Sequence, residues 1–131
     1  MATTRVWNFY EALGERSREA LSIAEREVAA ICDLRQEVNS GGFDSYFRYW
    51  GGNTAPTALE GLSSRLGPEW AGVLSDALRL FGEDYPLEPD SRADRMDELE
   101  LEDALEELDR RFYDLEVSTD ADTLLSKALG Q

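Results

Sequence analysis

The sequence contains no histidine, the residue used most often as a general base and as a transition-metal ligand. It has one cysteine, Cys32, so an internal disulfide is excluded and a zinc site of the usual type cannot be built from one chain. The phosphate-binding loop, nucleophile-elbow and calcium-loop motifs are also missing. These absences predict a protein that is not an enzyme and that needs no metal or cofactor.

Long apolar runs are missing as well. No segment approaches the roughly 18–20 apolar residues that a membrane span requires. The first twenty residues carry acids and lack the continuous apolar region of a secretory signal. A lone cysteine, predicted here to be an inert buried side chain, is typical of a reducing compartment. We therefore expect a cytoplasmic protein that does not contact membranes.

Valine and isoleucine are scarce, at seven residues together, and no segment alternates apolar with polar residues as a half-buried strand does. Apolar residues instead recur at steps of three and four, which predicts an all-α fold. The length of 131 residues fits one compact domain, residues 1–131, of about six or seven helices. We place helices at Thr4–Leu13, Ser22–Asn39, Phe43–Trp50, Thr54–Gly67 and Pro68–Phe81. Ser22, with Glu25 three residues later, forms the capping-box pattern that opens the second of these helices. Later helices start at Ser91 and at Thr119 or Asp120, and an apolar stripe runs over Leu101–Leu115.

The stretch EVNSGGFDSYFRYWGGN, residues 37–53, concentrates five aromatic side chains between two pairs of glycines. Gly41 and Gly42 are predicted to end the long helix. In the short helix that follows, the helical spacing puts one set of side chains on the core face and leaves Tyr49 outside. That core set is Phe43, Tyr46, Phe47 and Trp50. Core packing is the favoured interpretation, and a ligand groove is the alternative. Binding of nucleic acid is disfavoured, because basic residues are not interleaved with the aromatic ones.

The net charge is −15, and it is concentrated in one part of the chain. Residues 83–122 hold 17 acids and four arginines, a net charge of −13. Such a segment repels nucleic acid and anionic membranes and attracts basic partners. On a helix, acids four residues apart, such as Glu102 and Glu106 or Asp103 and Glu107, form rows of like charge. A solvated helix face that aids solubility is the plain alternative to a binding surface.

The sequence resembles a bacterial family of DNA-mimic proteins that was first catalogued only as a domain of unknown function. The similarity covers most of residues 5–129 and includes LEELDRRFYDLE at residues 105–116. The positions that match its hallmark, or belong to the same stretch, are Glu37, Val38, Asn39, Gly41, Gly42, Phe43, Tyr46, Phe47 and Trp50, with Gly51 or Gly52 behind them. The resemblance implies an all-α fold, a structural role for this motif, and a dimeric acidic protein that covers the DNA-binding surface of a helix-turn-helix regulator.

Our leading hypothesis is a non-enzymatic DNA mimic that binds a basic DNA-binding protein, inhibits it and can form a homodimer. The acids expected to imitate phosphates are Asp94, Asp97, Glu98, Glu102, Asp103, Glu106, Glu107 and Asp109. A first alternative is an immunity or adaptor protein that neutralises a basic partner, such as a toxin, through shape as well as charge. A second is an enzyme that uses carboxylates and a divalent metal.

Overall fold

The computed structural model describes residues 5–14 and 17–130, and in these ranges it contains seven α-helices and no strand. The all-α prediction is confirmed. The helices are α1 (Arg5–Leu13), α2 (Ile23–Arg48), α3 (Ala55–Arg65), α4 (Pro68–Arg79), α5 (Pro89–Leu99), α6 (Glu102–Ser118) and α7 (Ala121–Ala128), and a 3-10 helix (Trp50–Thr54) follows α2. Thr4, the predicted first residue of α1, lies outside the described residues.

Helix α2 is the centre of the fold. It begins with the predicted capping box: the Ser22 hydroxyl accepts from the backbone N–H of Glu25, and the Glu25 carboxylate accepts from the backbone N–H of Ser22. Eight consecutive residues, 28–35, are buried, because α2 packs against α1, α3, α5, α6 and α7 and leaves these turns no free face. Cys32 is among them, and burial raises the pKa of its thiol to about 12, so it is an unreactive core side chain as predicted.

Gly42 breaks α2 without ending it. Its backbone has φ 78° and ψ 178°, a conformation that only glycine adopts readily, and the residues before and after it are helical. The backbone N–H of Phe43 then donates to the Oδ1 of Asp109 on α6, at 2.7 Å. The glycine pair was predicted to separate two helical segments, and Gly42 does so. The second segment ends at Arg48 rather than at Trp50.

The aromatic residues of this second segment form the middle of the core. Phe43, Tyr46 and Phe47 are fully buried, as predicted, and the rings of Phe43 and Phe112 meet edge to face at 5.8 Å. The prediction for Trp50 is wrong, since this side chain is 55% exposed. The chain becomes extended at residue 49, so Trp50 leaves the face that Phe43 and Phe47 share.

The C-terminal helices follow local signals with one exception. Helix α6 buries Leu105, Leu108 and Phe112, which confirms the predicted stripe, and the Asp120 carboxylate caps α7. Helix α5, however, begins at Pro89 rather than at Ser91, because proline at the first helical position lacks only an N–H that would have had no helical partner.

Replacing Gly42 by alanine should destabilise the protein by about 1–3 kcal/mol. A Cβ at this position would lie 2.6 Å from the Oδ2 of Asp109, on a backbone that L-residues avoid. Gly72→Ala is the matched control, because a Cβ there meets no atom within 4 Å and the residue lies inside α4. That control should gain about 0.5–1 kcal/mol. Urea unfolding followed by circular dichroism measures both, and equal effects would contradict the role assigned to Gly42.

Candidate partner-binding surface

The first turns of α6 carry a dense group of exposed acids. Because Leu105 and Leu108 face the core, Glu102, Asp103, Glu106 and Glu107 all lie on the solvent side. These four acids occupy six consecutive residues, 102–107. Pairs four residues apart give two adjacent rows, one through Glu102 and Glu106 and the other through Asp103 and Glu107. The rows predicted from the sequence are therefore present and exposed.

Two grooves collect carboxylates from three helices. The larger, about 410 Å³, lies between α6 and the second segment of α2. Its charged lining residues are Asp44, Arg48, Glu102, Asp103, Glu106 and Asp109. The smaller, about 260 Å³, lies at the turn between α5 and α6 and is lined by Met96, Asp97, Glu100, Glu102 and Asp103. We call the seven carboxylates of these two grooves the acidic surface.

The acidic surface differs from the set predicted by sequence. Five of the eight predicted acids belong to it: Asp97, Glu102, Asp103, Glu106 and Asp109. Asp94, Glu98 and Glu107 are exposed on the same two helices but do not line either groove. Asp44 and Glu100 were missed. Asp44 is remote in sequence and is brought in by the segment after the Gly42 break, whereas Glu100 sits in a left-handed turn, φ 52°, that no motif announces.

Arg48 connects the acidic surface across helices. Its guanidinium donates to Asp44 on its own helix at 3.0 Å and to Asp97 on α5 at 2.8 Å. The other pairs are local: Glu107 with Arg110 at 2.6 Å and Glu98 with Arg95 at 4.0 Å. Exposed pairs of this kind contribute little to stability, so a partner's cations can replace them at low cost. Glu102, Asp103 and Glu106 have no ion pair with any cation of residues 5–14 and 17–130.

Arg92 does not relieve the repulsion on this surface, although the sequence counts it among four arginines of the acidic segment. Its side chain is fully buried and donates to the backbone carbonyls of Phe47 and Tyr49, both at 2.7 Å, and of Pro86 at 3.1 Å. It thereby fastens α5 to the end of α2. The acidic surface is therefore compensated by less positive charge than the composition of residues 83–122 indicates.

Asp109 has a different role from the other predicted acids. It is half-buried, and its carboxylate satisfies the N–H of Phe43 at the Gly42 break. Burial raises the pKa of Asp109, and the neighbouring charges of Glu106 and Asp44 raise it further, while the hydrogen bond from Phe43 opposes the shift. Asp109 thus satisfies the broken helix as well as lining the larger groove, and its expected role as a phosphate-mimicking acid stays a prediction.

The polar residues of the sequence motif hold the fold together. The Ser45 hydroxyl donates to Glu37 across the break at 2.8 Å, and the Asn39 amide donates to Glu116 at 3.1 Å. Glu116 in turn accepts from the buried Arg35, at 2.7 and 2.8 Å. The Ser45–Glu37 contact spans the break within α2, the contacts of Glu116 tie α2 to α6, and both agree with the structural role expected for Glu37 and Asn39.

No group of three or more cysteine, aspartate or glutamate residues in residues 5–14 and 17–130 is arranged to hold a metal ion. Within the same ranges, none of the helices combines the length and the apolar character required to cross a membrane.

Comparison with known proteins identifies one family. A family model described as DMP19-like protein matches residues 19–129, which is most of the chain and includes the Gly42 break, α5 and α6. No curated protein and no solved structure matches the sequence.

Asp109→Asn should be at least as stable as the wild type near neutral pH. The amide oxygen still accepts from Phe43, and the charge beside Glu106 and Asp44 is removed. Because the pKa of Asp109 is raised above 3.8 on folding, ionisation disfavours the native state. The advantage of the Asn variant should therefore grow as the pH rises above 3.8 and through the raised pKa.

Urea unfolding at about pH 4 and about pH 7 measures this difference, since contributions common to both proteins cancel. Asp109→Ala, which lacks the acceptor, should lose about 1 kcal/mol or more at both pH values. An Asn variant that becomes less stable, relative to the wild type, as the pH rises would refute the assignment.

Proposed function

The chain belongs to the DMP19-like protein family, a family of DNA mimics, and on this basis we propose that it binds the DNA-binding surface of a basic protein and blocks it. In this proposal the protein is a cytoplasmic inhibitor without enzymatic activity, and its partner is a transcription regulator, with the helix-turn-helix class as the first expectation. The acidic surface provides the contact.

The observation that carries the proposal is the charge density of α6. Four exposed acids in the six residues 102–107 span roughly 9 Å of helix, or about one charge per 2 Å. A DNA duplex presents one charge per ~1.7 Å of axis when both strands are counted. A protein surface whose arginines and lysines are spaced to neutralise phosphates can therefore neutralise these carboxylates with similar spacing.

The helices that carry the acids are also joined to one another. Helices α2, α5 and α6 each contribute to the acidic surface, and these helices are joined by the Phe43–Asp109 hydrogen bond and by the Arg48–Asp97 ion pair. Helices that are already joined lose little backbone freedom when a partner binds. A surface that only aids solubility can carry scattered acids and does not require acids from three helices to lie together or these helices to be joined. The arrangement therefore favours a binding function over solubility alone.

Affinity capture from the native cytosol across a salt series tests the proposal. Captured proteins should be basic DNA-binding proteins, and added duplex DNA should compete with the immobilised protein for them. Because the contact replaces counterions, binding should fall steeply with salt. Capture of a non-DNA-binding protein that resists high salt would instead favour the immunity or adaptor alternative, in which an apolar hot spot carries affinity. Light scattering checks the expected dimer.

Charge reversal on α6 should weaken the partner complex, whereas a matched reversal elsewhere should not. Glu102→Lys with Glu106→Lys changes two exposed acids, one in the first turn of α6 and one further along the helix. Glu60→Lys with Glu69→Lys makes the same change in net charge at exposed positions in the middle of α3 and in the first turn of α4.

Titration of each variant with the captured partner measures the effect. The α6 variant should lose at least about tenfold in affinity, near 1.4 kcal/mol, and show a shallower dependence on salt. The control variant should stay within about twofold of the wild type. Equal losses in the two variants would mean that only net charge matters, and the proposed surface would be wrong.

A further inference from the structure

A second recess, on a different part of the molecule, is not used by the proposed function. It is a cleft of about 880 Å³ between α1, α2 and the 3-10 helix, a volume in the range of small-ligand sites. The side chains that decide its chemistry are Tyr10, Glu11, Arg18, Asp33, Trp50 and Thr54. None of them belongs to the acidic surface. We call it the aromatic cleft.

The floor of the aromatic cleft is a saturated and rigid network around Asp33, which is only 2% exposed. Its carboxylate accepts from the hydroxyl of Tyr10 at 2.5 Å, from both terminal nitrogens of Arg18 at 2.7 and 3.0 Å, and from the hydroxyl of Thr54 at 2.7 Å. Arg18 neutralises Asp33. Among the lining residues that the structure describes, the remaining formal charge is that of Glu11, an exposed carboxylate at the rim.

Two exposed aromatic side chains follow one another on a backbone held by hydrogen bonds: Trp50 lines the aromatic cleft, and Tyr49 lines an adjoining recess that Trp50 shares. Tyr49 is 63% exposed and Trp50 is 55% exposed. Arg92 holds the carbonyl of Tyr49, the hydroxyl of Tyr85 donates to the carbonyl of Gly52, and a Cβ on Gly52 would lie 2.8 Å from the carbonyl oxygen of Tyr46. Exposed aromatic residues on a preorganised backbone are typical of binding hot spots.

The cleft already contains a contact between an arginine and an aromatic ring. The guanidinium carbon of Arg18 lies 5.1 Å from the centre of the Trp50 ring, within the range of a cation–π contact. More than half of Trp50 is still open to solvent, and Glu37 lines an adjoining recess together with Tyr49 and Trp50. An occupant that stacks on indole and pairs with carboxylates is therefore favoured by both shape and charge.

We propose that the aromatic cleft binds an arginine side chain of a protein partner, with the guanidinium stacked on the open part of Trp50 and paired with Glu11. Arginine fits better than lysine, because its planar, weakly hydrated group stacks on aromatic rings and can pair with a carboxylate through two donors. A partner can engage this cleft and the acidic surface together. The cleft contact nevertheless stands without the proposed function, because it uses different residues.

The indole N–H signals in a proton–nitrogen correlation spectrum test this directly. The chain has three tryptophans. The indole N–H groups of Trp7 and Trp70 donate to Asp122 and Thr119, respectively, so their signals serve as internal references. The signal that disappears in Trp50→Phe is that of Trp50. The probes are capped tripeptides Gly-Arg-Gly, Gly-Lys-Gly and Gly-citrulline-Gly. We expect the arginine peptide to shift the Trp50 signal saturably, at millimolar concentration, as befits one side chain.

The lysine peptide should bind at least about threefold more weakly, and the citrulline peptide, which has the shape without the charge, should give no saturable shift. Glu11→Gln should weaken the arginine response, whereas Glu102→Lys with Glu106→Lys should leave it unchanged, even if that variant loses the partner. Equal shifts with arginine and citrulline would overturn the proposal. So would a Trp50 signal that moves with protein concentration alone, because a second copy of the chain would then occupy the cleft.

Discussion

The fold and its acidic surface both depend on one interruption of the backbone, at Gly42. A helix break leaves the N–H groups that follow it without helical acceptors, and Asp109 satisfies the one at Phe43. This hydrogen bond fixes α6 against the second segment of α2. On the inner side of that junction lie Phe43 and Phe112, in edge-to-face contact. On the outer side lie Asp44 and Glu106. The same contact between α2 and α6 therefore packs the aromatic core and brings these carboxylates together.

Two arginines that could compensate the acidic surface lie inside the fold instead. The side chain of Arg92 is fully buried, and that of Arg35 is 7% exposed. Arg35 pairs with Glu116 and Asp122 at the contact of α2, α6 and α7, so one cation is shared by two carboxylates. Buried pairs add little net stability. Neither Arg35 nor Arg92 is therefore available to compensate the exposed acids of the acidic surface.

How far the sequence predicts this arrangement depends on the range of the interaction. Ser22 with Glu25 and the stripe through Leu105 and Leu108 are local patterns, and each was predicted correctly because neighbours along one helix determine it. Trp50 was misplaced, because helix periodicity cannot reveal that α2 stops at Arg48. The structural roles of Arg92 and Asp109 could not be predicted from local patterns either. Their partners, at Phe47 and Phe43, are more than forty residues away.

The acidic surface and the aromatic cleft are linked through α5. Its Asp97 pairs with Arg48 at the acidic surface, and its Arg92 holds the carbonyls of Phe47 and Tyr49 below the aromatic rim. Charge steers a basic partner and orients it, but many basic proteins share that property, so charge alone selects poorly among them. A rigid aromatic rim supplies the short-range discrimination that charge lacks. Because one helix supports both, a partner that docks on the acids in the proposed complex would meet the aromatic side chains already in place, and affinity and selectivity would rest on separate residues.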